Sequence, residues 1–147
     1  MGDQSRELAE RFSRRLRDVV LLLRRVSVDQ PITAQQLSVL GSLQGGPRRM
    51  SDLAAEHGVR LPTMTAQVNR MVRDGLVARG ADASDARVVT VSLTPDGTRD
   101  LHTARSRRLD YLTRRFAALS EQERAAIAAA LPALDKLFAT PEEDTGP

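Results

Sequence analysis

Near the start of the chain, apolar residues recur in steps of three and four: Leu8, Phe12, Leu16, Val19, Val20, Leu23 and Val26. That spacing predicts a long amphipathic helix over about residues 5–29. Pro31 ends it, because the residue before a proline is pushed out of helical dihedrals. Thr33 and Gln36 have capping-box spacing and open a second helix with Leu37, Leu40 and Leu43 turned inward; Gly45-Gly46-Pro47 breaks it. Ser51 is the expected cap of a short helix that stops at Gly58. Another helix starts at Pro62, with Leu61 as a poor N-cap, and stops at Gly75. Two short helices joined by a tight turn make a helix-turn-helix.

The period then changes. Val77 and the run Val88, Val89, Val91 and Leu93 flank the loop ADASDA, a pattern that predicts a hairpin. Thr94-Pro95 opens a long helix carrying Leu101, Leu109, Leu112, Phe116 and Leu119. Ser120 and Glu123 repeat the capping box before a last helix with Ile127, Leu131, Leu134 and Phe138, in which Pro132 is expected to make a kink. The expected fold is mainly α with a small β-hairpin wing: a winged helix-turn-helix lobe over about 33–93, flanked by helices over about 5–29 and 95–139. One domain is expected over residues 1–147, with 141–147 a frayed tail.

Composition narrows the function. The chain has 147 residues, 41% hydrophobic and 28% charged, with a net charge of +3. Only Lys136 is a lysine among its 22 basic residues, and there is no cysteine, which excludes disulfides and thiolate metal sites. The polar opening GDQSRELAERFSRR lacks a signal-peptide layout, and no apolar run reaches the roughly 18 residues of a membrane span, so a cytoplasmic location is expected. His57 and His102 are too few and scattered for a metal site or a triad, and no glycine-rich phosphate loop occurs. The chain is therefore not expected to be an enzyme, and no cofactor or metal is expected.

The helix from Pro62 carries the most specific chemistry. At roughly 100° per residue, Met64, Val68, Met71 and Val72 fall on one arc and are expected to pack inward. Ala66, Asn69, Arg70 and Arg73 occupy the opposite arc, flanked by Thr63, Thr65 and Gln67. Hydrogen-bonding side chains and arginines on the second helix of a helix-turn-helix suit base edges in a major groove. Arg60 stands before the helix, where it or a bound phosphate would meet exposed amides. Arg87 at the hairpin tip suits the minor groove, with Asp85 orienting it. Asp82 has no evident partner and is read as a turn residue.

These elements resemble the MarR (multiple antibiotic resistance regulator) family. The segments that carry the resemblance are ITAQQLSVLGSL at 32–43, MSDLAAEHGV at 50–59, PTMTAQVNRMVRDGLVAR at 62–79, DARVVTVSLTPDG at 85–97 and LSEQERAAI at 119–127. The D-x-R wing followed by L-T-x-x-G is the most specific of them. The resemblance implies a homodimeric winged-helix transcription regulator, usually a repressor, whose terminal helices form the dimer. It also implies a near-palindromic double-stranded DNA operator, with Thr63, Thr65, Gln67 and Arg70 on the recognition helix and Asp85 and Arg87 as the wing pair. Many relatives bind small lipophilic or aromatic anions in a crevice between the dimer helices and the DNA-binding lobe. Phe12, Leu16, Leu40 and Tyr111 are the matching candidates. The chain departs from the family at Ala66, where many members carry arginine, at Leu61 and at Pro132. The alternative function is a winged-helix protein-interaction module without its own operator.

Overall fold

The structure is a computed structural model that describes residues 2–139. The expected tail at 141–147 lies outside the described residues. Among the described residues, six helices and three strands follow in order: α1 Gly2–Ser27, α2 Ala34–Ser42, β1 Arg48–Arg49, α3 Met50–Glu56, α4 Leu61–Arg73, β2 Val77–Ala81, β3 Val89–Leu93, α5 Pro95–Ala117 and α6 Glu121–Phe138. Contacts gather the chain into two compact units that divide inside α5, between Arg108 and Leu109.

In the first unit, local signals set most boundaries. The Thr33–Gln36 capping box is complete, with Gln36 N donating to Thr33 Oγ1 (3.1 Å) and Thr33 N donating to Gln36 Oε1 (3.0 Å). Helix α1 stops at Ser27, short of the expected 29, because side chains turn back on its last carbonyls. Ser27 Oγ donates to Leu23 O (3.0 Å) and Gln30 Nε2 donates to Val26 O (2.9 Å). Helices α3 and α4 close alike on left-handed glycines, Gly58 (φ 63) and Gly75 (φ 73). Gly58 N bonds to Ala55 O and Val59 N to Ala54 O; Gly75 N bonds to Val72 O and Leu76 N to Met71 O.

Two expected caps are corrected. Ser51 lies inside α3, whose N-cap is Arg49; the helix starts two residues early because Met50 turns into the core. Leu61 is the first residue of α4, and Arg60 is its N-cap, without a side-chain cap bond.

The sheet is antiparallel with order β1-β3-β2, pairing Arg48 with Val91 and Val77 with Leu93. The two-residue β1 was not expected. Thr94 N donates to Leu76 O (3.1 Å), and Thr94 Oγ1 accepts from Gly97 N (3.0 Å), which caps α5. A Cβ on Gly97 would stand 1.9 Å from Leu76 O, so only glycine lets α5 start this close to the turn. The core runs from Ile32 to Ala104 and centres on Leu40, Leu43, Leu53, Met64, Val68, Met71 and Val91. Helix α1 has no buried residue.

The second unit joins the end of α5 to α6. The Ser120–Glu123 capping box is complete, with Glu123 N donating to Ser120 Oγ (3.1 Å) and Ser120 N to Glu123 Oε2 (2.8 Å). The bond from the Ser120 backbone amide holds the Glu123 carboxyl below its ordinary pKa. Arg124 Nη1 donates to Leu119 O (2.5 Å), satisfying a carbonyl just past the end of α5. Helix α6 continues through Pro132 to Phe138 and buries no residue.

Candidate nucleic-acid interface

Helix α4 sorts its side chains by depth. Met64, Val68 and Met71 are fully buried, whereas Thr63, Ala66, Asn69, Arg70 and Arg73 are exposed. Val72, expected in the buried arc, is 36% exposed, because it lies at the rim of that arc and faces a groove. Thr65 is half-buried, and its hydroxyl donates to Leu61 O (2.9 Å). Gln67 is also half-buried and turns away from the arginines. It lines a crevice of about 290 Å³ with Leu23 and Arg24 of α1, Ser38 of α2, His57 and Val59.

The arginine face is larger than expected. Asn69, Arg70 and Arg73 share a groove of about 530 Å³ with Arg79 of β2. Arg79 was not expected here, although strand alternation places it on the same sheet face as buried Val77. It pairs in register with Val91 on the sheet face that meets α4. A second groove of about 520 Å³ separates α4 from the wing strands, lined by Leu61, Thr65, Val88 and Val89 among others.

Pairing distinguishes these arginines from their neighbours. Arg48 pairs with Glu56 at 2.9 Å, and Arg49 pairs with Asp82. Among the described residues, the guanidinium groups of Arg60, Arg70, Arg73 and Arg79 make no hydrogen bond or ion pair. Arg60 is followed by the α4 amides that precede the first intrahelical bond, Met64 N to Arg60 O at 3.1 Å.

The wing tip is ordered by its own polar groups. Asp82 N donates to Val88 O (3.0 Å) and Val88 N to Asp85 O (3.0 Å). Asp85 Oδ1 accepts from Arg87 N (3.0 Å) and lies 3.5 Å from Arg87 Nε, while the Arg87 side chain is 93% exposed. The reading of Asp82 as a partnerless turn residue is overturned. Its carboxylate accepts from Arg49, and Ser84 Oγ donates to it at 3.2 Å. Arg49 is 33 residues away in sequence, so no local pattern could reveal the pair.

Behind the interface, Ser42 Oγ donates to Glu56 Oε1 (2.8 Å) and lies 2.9 Å from His57 Nε2. Since the hydroxyl proton serves Glu56, the ring nitrogen is the donor in the second bond. The Ser42 bond, with the Arg48 charge beside it, holds the Glu56 carboxyl below its ordinary pKa against the opposing effect of burial. The effector candidates differ in burial. Leu40 is fully buried in the core, half-buried Phe12 and exposed Leu16 lie on α1, and Tyr111 is half-buried in the second unit. Among the described residues, no helix is long and apolar enough to cross a membrane.

A helix-turn-helix followed by a hairpin defines a winged-helix protein, and unpaired arginines on its second helix and wing give it the charge of a nucleic-acid-binding module. Residues 30–88 match the MarR family model. The HTH-type transcriptional regulator Mb0904 of Mycobacterium bovis is 31% identical over 125 residues, covering 84% of this chain and 87% of that protein. The HTH-type transcriptional repressor MdtR of Bacillus subtilis is 30% identical over 95 residues, covering 64% and 61%. A crystal structure described as a transcriptional regulator from Pseudomonas aeruginosa is 34% identical, covers 95% of this chain and 99% of its own, and superposes with a TM-score of 0.78. The chain belongs to the MarR family. It is a DNA-binding transcription regulator and not an enzyme.

Proposed function

We propose that the protein is a homodimeric, cytoplasmic repressor of its own or a neighbouring operon. It binds a near-palindromic operator and is released by a small effector. The observation that carries the reading is the set of unpaired guanidinium groups at Arg60, Arg70, Arg73 and Arg79, together with the exposed Arg87. In this reading Thr63, Asn69 and Arg70 meet base edges in the major groove, with Thr65 and Gln67 at the margin. Arg60, Arg73 and Arg79 meet phosphates, and Arg87, oriented by Asp85, enters the minor groove. Dimerisation is supported by the exposed apolar residues of α1 (Leu8, Val19, Val20) and of α6 (Leu131, Leu137, Phe138), helices with no buried residue of their own. MdtR, a repressor by name, supports the direction of regulation. For an effector, the crevice under Gln67 offers donors at Arg24, Ser38 and Gln67 beside Leu23 and Val59, a lining that suits a small anion with an apolar body.

The test is binding to labelled duplex from upstream of the protein's own gene, followed by anisotropy across a salt series. Tight binding with a steep salt dependence is expected. Arg87→Ala is expected to make the log–log slope shallower by about 1 per lost ionic contact, hence about 2 per dimer. Binding no tighter than to random DNA would favour the protein-interaction module instead.

A further inference from the structure

Strand β1 contributes only two residues, yet both are ion-paired, and to different parts of the first unit. Arg48 reaches Glu56 at the end of α3 (2.9 Å), where Ser42 of α2 also bonds the carboxylate. Arg49 reaches Asp82, the residue after β2, where the wing loop leaves the sheet. Because β3 lies between β1 and β2, this second pair spans the width of the sheet.

Asp82 is built into its surroundings more firmly than the other wing aspartate. Its side chain is 18% exposed against 45% for Asp85. Its amide closes the base of the loop on Val88 O, and its carboxylate gathers Arg49 from outside the wing and Ser84 from inside it. Desolvation pushes the Asp82 carboxyl upward, but the bonds from Arg49 and Ser84 outweigh it and leave the pKa below the ordinary value. The group is therefore charged at neutral pH.

A wing that enters one groove while a helix enters another must hold a set position relative to that helix. We propose that Arg49 and Asp82 are a positioning pair that ties the wing loop to the helix-turn-helix through β1 and thereby sets the place of Arg87 on DNA. The pair orders the loop before binding, so less conformational freedom is lost on the duplex. Neither residue needs to touch the base edges for this role. The proposal rests on Arg87 being a DNA contact.

Charge makes the pair separable from simple attraction to phosphates. Asp82→Ala removes a negative charge and Arg49→Ala a positive one, so electrostatics alone would tighten binding in the first variant and weaken it in the second. A positioning pair predicts that both weaken binding. The full chain is titrated with a duplex selected on the wild-type protein from a random pool. Each single variant is expected to lose roughly three- to tenfold in affinity, the scale of two surface ion pairs in a dimer. In an Arg87→Ala background the same changes are expected to shift affinity less than about twofold, because the residue they act through is gone. The reciprocal exchange, Arg49→Asp with Asp82→Arg, keeps both the pair and the net charge and is expected to bind within about threefold of the wild type. It also serves if a single variant fails to fold. Tightening by Asp82→Ala, losses of equal size with and without Arg87, or an exchange as weak as the single variants would overturn the proposal. If Arg87→Ala weakens binding and the pair variants do not, the pair alone falls. If Arg87→Ala changes neither affinity nor salt slope, the DNA contact at the wing falls, and the pair with it.

Discussion

Arg70 and Gln67 stand three residues apart on α4 and have opposite surroundings. Arg70 is exposed with no partner among the described residues, whereas Gln67 is half-buried over the crevice beside α1 and α2. Arg70→Ala should therefore weaken operator binding by about 1–3 kcal/mol, the cost of a lost base or phosphate contact, and Gln67→Ala by less. Thermal unfolding should be unchanged in Arg70→Ala, because Met64, Val68 and Met71 carry the packing of this helix. A large drop in unfolding temperature with affinity retained would show the face to be misassigned. The arginine arc was legible from periodicity alone. Asp82 was not: its partner comes from another strand, and a sequence window around ADASDA contains no sign of Arg49.

At the scale of elements, the boundaries easiest to read were those set by contacts within a few residues. The capping boxes at Thr33 and Ser120 and the left-handed glycines at Gly58 and Gly75 all lie where the sequence put them. Boundaries set by distant packing were not readable. Met50 pulls the start of α3 back by two residues, and β1 exists only because Thr90 and Val91 offer it an edge. Two consecutive arginines have no alternation that could mark a strand. The junction between the turn at Leu76 and the start of α5 was half legible, since Thr94-Pro95 announces the helix and nothing announces the close approach of Gly97. That approach gives a test. Gly97→Ala forces a Cβ against the Leu76 carbonyl, and Leu76 is itself part of the core. The expected loss of stability is about 1–3 kcal/mol, the usual cost of overpacking, read from the midpoint of denaturant unfolding. An unchanged midpoint would mean that the contact relaxes freely.

At the scale of the whole molecule, the proposed function requires two copies of the chain. Helix α1 exposes Leu8 and Val19, and the second unit exposes Leu131 and Leu137; a two-fold pairing that covered them would present two recognition helices to one face of DNA. The measurement that tests this most directly is selection of duplexes from a random pool by the intact protein, with the enriched sequences aligned. A two-fold dimer is expected to enrich an inverted repeat whose half-site centres lie about 10 bp apart, one turn of the double helix. A pool without an enriched motif, or one enriched in a single asymmetric half-site, would contradict it.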